Sequence, residues 1–113
     1  MKKTILITGG SEGIGAATAL LAARQDYVVC INYRRNQEAA RSVLNRIKEE
    51  GGEAYAYQAD VSDEEQVVGM FSSLDREVGT LTALVNNAGI IEPQQRLVQM
   101  SAERLHKVFA TNV

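Results

Sequence analysis

The 113-residue chain has no tryptophan, one proline and one cysteine, and its apolar runs are short. A single cysteine, Cys30, cannot form an internal disulfide, and its apolar neighbours predict an inert, buried thiol in a reduced cytoplasmic protein. No apolar run is as long as a membrane span, so no membrane association is expected. The net charge of -2 lacks the basic excess that attracts nucleic acids. The remaining composition, 45% hydrophobic and 23% charged, is typical of one soluble globular domain.

Strand and helix signals alternate along the chain. Short apolar or β-branched runs predict strands at residues 4–8, 27–32, 54–58 and 81–85. Apolar residues at helical spacing predict helices at residues 13 to about 25, 37–50, 62–78 and from 101 onward. This alternation predicts an α/β fold, in which one domain over residues 1–113 contains an open, doubly wound parallel sheet with right-handed crossovers.

Two of these helices carry predictions at the level of single residues. The third helix is predicted to begin at Ser62, because Glu65 three residues later completes a capping-box pattern. The first helix is predicted to bury one face, made of Ile14, Thr18, Leu21 and Ala22.

Four glycines, at positions 9, 10, 13 and 15, follow the first predicted strand. A kinase-type or ATPase-type P-loop would need Lys and Ser or Thr after Gly15, where Ala16 and Ala17 stand. The spacing also differs from the generic GxGxxG pattern. A buried strand, a glycine turn and a helix beginning at Gly13 nevertheless meet the physical needs of a bound pyrophosphate. A glycine-rich turn without a ligand is the alternative.

The spacing TGxxxGxG, from Thr8 to Gly15, resembles the glycine motif of the short-chain dehydrogenase/reductase family. Asn86-Asn87-Ala88-Gly89 after the fourth strand is similar to that family's NNAG motif, and Asp60-Val61 and Thr111-Asn112-Val113 also stand at familiar positions. The resemblance covers the whole chain and implies the first half of a Rossmann-type sheet with strand order 3-2-1-4. It also implies a nicotinamide coenzyme and hydride transfer to or from a small carbonyl or alcohol.

The resemblance assigns roles to individual residues. The glycine loop would line the pyrophosphate and ribose, Asp60 and Val61 would border the adenine, and the segment after the fourth strand would pass along the coenzyme. The coenzyme-binding residues implied in this way are Gly9, Ser11, Gly13, Ile14, Gly15, Asp60, Val61, Asn87, Ala88 and Gly89. The sequence suggests no metal site.

The end of the second strand bears on the choice of coenzyme. An NAD site places Asp or Glu there, about 20 residues past the glycines, to hold the ribose 2′-hydroxyl. Residues 27–37 contain no acid, and Arg34 and Arg35 follow the strand. An arginine can bind a 2′-phosphate with paired hydrogen bonds, so NADP is favoured over NAD, with Arg34 as the first candidate. A solvated arginine pair is the alternative.

Glu12 opposes this preference. Many NADP-using relatives have a basic residue at this position of the motif, whereas here a carboxylate stands beside the phosphates. An ion pair of Glu12 with Arg34 or Arg35, or a favourable place at the helix N-terminus, would explain the residue. Either role is expected to weaken NADP binding.

Catalytic residues are almost absent from the sequence. The family uses a tyrosine as general acid/base with a lysine four residues on, but Ile31, Gln37, Ala59 and Val61 follow the four tyrosines at that spacing. Only the proton-relay asparagine has a counterpart, Asn112. The chain is therefore interpreted as the N-terminal half of an oxidoreductase, inactive alone. The alternative is a nucleotide-binding or dimerising module without catalytic activity. An exposed fourth strand and a final helix similar to the family's dimerisation helix predict a homo-oligomer.

Overall fold

The computed structural model describes residues 2–87. Strands and helices alternate, and the described elements are β1 (Thr4–Thr8), α1 (Gly13–Arg24), β2 (Val28–Tyr33), α2 (Gln37–Glu49), β3 (Ala54–Gln58), α3 (Glu64–Glu77) and β4 (Ala83–Asn86). All strand pairs are parallel, and the strand order is β3-β2-β1-β4. The predicted α/β fold and strand order are therefore confirmed.

The sheet is covered on both faces because successive residues of a strand point to opposite sides. In β1, Ile5 and Ile7 pack into the apolar cluster that also contains residues of α1 and α2, whereas Leu6 packs with residues of α3. In β2, Ile31 faces the first cluster and Cys30 the second. A continuous apolar run in each inner strand is what such a doubly covered parallel sheet requires.

Two strands are shifted from their predicted positions. β2 begins at Val28 because the N–H of Tyr27 donates to the carbonyl of Ala22 and thus closes the end of α1. β4 begins at Ala83, and the preceding Thr82 accepts the N–H of Thr4 with its hydroxyl oxygen at 2.8 Å. Both boundaries are set by hydrogen bonds of the adjoining segments. The hydrophobicity of the sequence does not predict these bonds.

The predicted buried face of α1 is wrong in all but one position. Ala22 is buried, as predicted, but Ile14 is 78% exposed, Leu21 is 59% exposed and Thr18 is half-buried. The buried residues of α1 are small, namely Gly15, Ala19 and Ala22, and Leu20 packs partly buried against the same core. Small residues let the helix axis approach the strands closely, so the contact follows residue size more than hydrophobicity.

The predicted start of α3 is also wrong. Asp63, not Ser62, is the N-cap, and its carboxylate accepts the N–H of Glu65 at 3.0 Å and that of Gln66 at 3.3 Å. Ser62 is engaged elsewhere, since its hydroxyl donates to Oδ1 of Asp60 at 2.6 Å. None of the helices in residues 2–87 is long and apolar enough to cross a membrane.

Candidate coenzyme site at the carboxyl edge of the sheet

The predicted site residues within the described region lie in four connections that leave the same edge of the sheet, and in the first turn of α1. Because all four strands are parallel, their carboxyl ends meet there. The connections are residues 9–12 after β1, residues 34–36 after β2, residues 59–63 after β3, and Asn87 after β4. Strand order thus brings together residues separated by up to 78 positions in the sequence.

The glycine loop requires glycine for two different reasons, which Gly9 and Gly15 illustrate. Gly9 has a φ of 65°, in the left-handed region that favours glycine. Gly15 is buried in the first turn of α1, and a Cβ there would overlap the carbonyl of Gly9 and lie 2.5 Å from Nδ2 of Asn87. The loop therefore folds tightly back on its own helix and against β4.

Asn32 holds the loop from the neighbouring strand, a role that was not predicted from the sequence. Its side chain is almost fully buried, Oδ1 accepts the N–H of Gly9 at 3.4 Å, and Nδ2 donates to the carbonyl of Ala59 at 3.0 Å. The N–H of Gly10 also donates to the Asn32 carbonyl, at 3.1 Å. A polar residue inside the apolar run of β2 was the available signal, because buried amides are almost always hydrogen-bonded.

Asn87 joins the loop from the other side. Its N–H donates to Oγ1 of Thr8 at 2.9 Å, and its Nδ2 donates to the Gly9 carbonyl at 3.4 Å. The Thr8 hydroxyl also donates to Oδ1 of Asn86 at 3.1 Å. These bonds explain why the threonine before the glycines and the two asparagines at the end of β4 belong to one structural unit.

The N-terminus of α1 is open. Glu12 occupies the N-cap position in an extended conformation, but its side chain makes no capping hydrogen bond. Gly13 and Ile14, the first residues of the helix, are exposed. The unpaired N–H groups of a helix start, together with the positive end of its dipole, are suited to bind an anion such as a pyrophosphate.

Arg34 and Asp60 form a charged pair at the ends of β2 and β3. Nη2 of Arg34 lies 3.4 Å from Oδ2 of Asp60, and the arginine side chain is 61% exposed. Hydrogen bonds from Ser62 lower the pKa of Asp60, and the charges of Arg34 and Arg35 add to this effect. The residues predicted to bind a 2′-phosphate therefore lie beside the one predicted to border the adenine. The Val61 side chain, by contrast, is buried against α3.

Glu12 points away from its own helix toward α2. Its Oε1 accepts a hydrogen bond from Nδ2 of Asn36 at 2.6 Å. Among the ion pairs of residues 2–87, Arg34 pairs with Asp60, so the expected pairing of Glu12 with an arginine is not observed. Ser11 is half-buried in the same loop.

Some predicted residues lie outside the described part of the chain. These are Ala88, Gly89, the helix from residue 101, and Asn112 with its proposed part in proton relay. Within residues 2–87, no group of three His, Cys, Asp or Glu side chains is arranged to hold a metal ion.

This chain is similar in sequence to known oxidoreductases. A family model described as short chain dehydrogenase matches residues 3–113. The uncharacterized oxidoreductase YgfF of Escherichia coli (strain K12) is 52% identical over 108 residues, which are 96% of this chain and 44% of that protein. The 3-oxoacyl-[acyl-carrier-protein] reductase FabG of Staphylococcus aureus is 38% identical over 113 residues, which are 100% of this chain and 46% of the relative. The chain thus spans less than half the length of these curated relatives.

Solved structures agree with the sequence matches. A dehydrogenase/reductase from Sinorhizobium meliloti 1021 superposes with a TM-score of 0.84 at 32% identity, covering 90% of this chain and 48% of that one. A short-chain type dehydrogenase/reductase from Mycobacterium marinum superposes with a TM-score of 0.85 at 29% identity, covering 91% and 49%. Motifs, sheet order and these similarities lead to one conclusion. The chain belongs to the short-chain dehydrogenase family of oxidoreductases.

Proposed function

We propose that residues 1–113 are the N-terminal coenzyme-binding part of an NADP-dependent oxidoreductase. The observation that carries this proposal is the open start of α1, which the bond between Glu12 and Asn36 joins to the segment that carries Arg34, at a β2 end that has no acidic residue. The glycine loop fits the pyrophosphate of a nicotinamide dinucleotide, because the first residues of α1, Gly13 and Ile14, are exposed and no side chain caps the helix. When bound, the coenzyme supplies or accepts the hydride.

The residues of this chain would bind and orient the coenzyme. The first turn of α1 would hold the pyrophosphate, Arg34 and Arg35 the 2′-phosphate, and Asp60 the adenine side, with Asn87–Gly89 passing along the coenzyme. A carbonyl or alcohol of a small molecule is the proposed substrate class. The name of the Staphylococcus aureus relative, a reductase of 3-oxoacyl groups, supports a carbonyl. We place the reaction in the cytoplasm, where a free thiol such as Cys30 stays reduced.

Hydride transfer would require residues that this sequence lacks. None of its four tyrosines has a lysine four residues later, so residues 1–113 would bind coenzyme without turning over substrate, even with Asn112 in its proposed relay role. A binding module with no catalytic role would behave identically in a binding experiment. The two are separated by following NADPH absorbance with carbonyl substrates, using the protein that carries this chain.

Titration of NADPH and NADH, followed by nicotinamide fluorescence, tests the coenzyme. The chain has no tryptophan, so the signal is free of indole fluorescence. We expect NADPH to bind about tenfold more tightly, because a charge-assisted hydrogen bond contributes about 1.5–3 kcal/mol. Arg34→Ala should remove this difference, and Arg41→Ala, on the exposed surface of α2, should preserve it. Tighter binding of NADH would contradict the choice of NADP.

Self-association is also proposed. Within residues 2–87, β4 pairs only with β1, and its Leu84 and Val85 are half-buried. A strand with an unpaired side is a template for pairing with another chain. Light scattering across a wide concentration range should show dimers or larger species, and a monomer at every concentration would contradict this.

A further inference from the structure

A carboxylate of the protein itself is held next to the subsite proposed for the 2′-phosphate. Glu12 leaves the glycine loop and reaches Asn36, which lies 24 positions further along the chain and directly after Arg34 and Arg35. The contact joins Oε1 of Glu12 to Nδ2 of Asn36 at 2.6 Å. The contact therefore holds a carboxylate at the residue that directly follows the two arginines proposed to bind the phosphate.

Hydrogen bonds of both its oxygen and its nitrogen fix the orientation of the Asn36 amide. Its Oδ1 accepts the N–H of Ala39 at 3.0 Å and so caps α2, while its Nδ2 faces Glu12. A flipped amide would place its nitrogen against an N–H and its oxygen against a carboxylate, and both contacts would be repulsive. The capping bond thus pre-orients the donor that holds Glu12.

This arrangement does little for the stability of the chain. Both partners are exposed, and exposed polar pairs contribute little to the free energy of folding. Glu12 does not cap α1 either. What the bond does fix is the position of a charge, and its effect falls on any anion that approaches Arg34 and Arg35.

We infer that Asn36 is a positioning residue for coenzyme selection: it holds the Glu12 carboxylate where that charge opposes the 2′-phosphate of NADP. The inference rests on the proposed function, and it adds a residue that acts through Glu12. Arg34 favours the phosphate and the held carboxylate disfavours it. The chain should therefore discriminate between NADPH and NADH less strongly than its two arginines alone would allow.

The test is a double-mutant cycle read out by equilibrium dissociation constants. Glu12→Gln removes the charge but retains an oxygen that can accept from Asn36. Asn36→Ser retains a side chain that caps helices well but is too short to hold Glu12. Each should tighten NADPH binding about fivefold more than it tightens NADH binding, because both nucleotides carry the pyrophosphate but only NADPH carries the 2′-phosphate. A factor of about five is the effect of one opposing charge a few ångströms away in water. Asn45→Ser, on the exposed surface of α2, is the matched control.

The combined variant decides the mechanism. If Asn36 acts through Glu12, adding Asn36→Ser to Glu12→Gln produces no further change in NADPH affinity. An equal effect of Asn36→Ser with and without Glu12, or equal effects on NADPH and NADH, overturns the inference while the proposed function stands. If neither nucleotide binds the unmodified chain, the proposed function and the inference about Asn36 both fail. If NADH binds more tightly but Asn36→Ser shifts the ratio toward NADPH, the choice of NADP fails and the inference holds.

Discussion

Helices α1 and α3 begin in opposite ways. At α3, the Asp63 carboxylate accepts N–H groups of the first turn and also receives a hydrogen bond from the Gln66 side chain at 3.1 Å. At α1, the side chain in the N-cap position makes no capping bond. The start of α3 is thus built by residues a few positions apart, and the first turn of α1 is left open.

Long-range contacts replace the missing cap at α1. Asn32 from β2 and Asn87 after β4 bind the backbone of Gly9, and Thr8 binds the backbone of Asn87. These contacts fix the path of the chain without using the N–H groups that a cap would cover. The difference teaches that a helix start can be ordered and still remain open for an anion, if neighbouring strands supply the order.

The largest effect is expected from disturbing the close approach at α1. Gly15→Ala places a methyl group against the Gly9 backbone and Nδ2 of Asn87, so the loop must move. We expect a loss of about 1–3 kcal/mol in the free energy of unfolding, typical of overpacking, and about a hundredfold weaker NADPH binding. Urea unfolding and fluorescence titration measure the two effects.

Gly69→Ala is the control within α3. A Cβ at Gly69 meets no atom within 4 Å, so this variant should gain about 0.4–1 kcal/mol in the free energy of unfolding, with unchanged NADPH binding. Gly15→Ala with normal nucleotide affinity would show that the tight loop is not part of the binding site.

A smaller effect is expected at the two N-cap positions. Asp63→Ala removes the cap of α3 and should cost about 1 kcal/mol in the free energy of unfolding without affecting NADPH binding. Glu12→Ala removes no cap, so its stability should change far less, while NADPH binding becomes tighter. Chemical denaturation of both variants measures the contrast, and equal losses would show that Glu12 stabilises α1 in a way that its contacts do not explain.

The smallest effect is a pH dependence near the start of α3. Ser62 holds the pKa of Asp60 below its usual value in the folded state, so the folded protein binds fewer protons there than the unfolded chain. The stabilisation is present above the ordinary aspartate pKa of about 3.9 and is lost as the pH falls through the folded value. Asp60→Asn, and in part Ser62→Ala, should lose less stability on acidification, as shown by urea midpoints. If Asp60→Asn loses as much stability on acidification as the unmodified protein, Asp60 does not contribute to the pH dependence.

The strands were predictable because buried parallel strands leave continuous apolar runs in the sequence, and their order followed from the resemblance to the short-chain dehydrogenase/reductase family. In α2 and α3 the large apolar residues at helical spacing, such as Val43, Ile47 and Phe71, are buried, so their spacing reports the buried faces of these helices. The spacing in α1 does not report its buried face, because alanine and glycine are buried while Ile14 and Leu21 remain exposed. A prediction from hydrophobic periodicity depends mainly on large apolar residues, whereas close packing of a helix on a sheet requires small residues.

For the candidate site, the sequence indicated the loops but not the bonds between them. Glycine spacing and the residues after each strand predicted which segments converge at the carboxyl edge. The contacts of Asn32 with Gly9 and Ala59, and of Glu12 with Asn36, join residues 23 to 27 positions apart. Such contacts depend on strand register and side-chain reach, and neither follows from a local pattern.

Because Cys30 is buried, the reactivity of its thiol can be used to follow the opening of the sheet. The thiol has no exposed surface in β2, between β1 and β3, and burial raises its pKa to about 12. A thiol-specific reagent needs the thiolate, so it reacts only after the sheet has opened far enough to hydrate this strand. Because the chain has no other cysteine, the labelling rate reports a single event. The labelling rate of Cys30 thus measures how often the sheet opens at β2, and nucleotide binding should lower this rate.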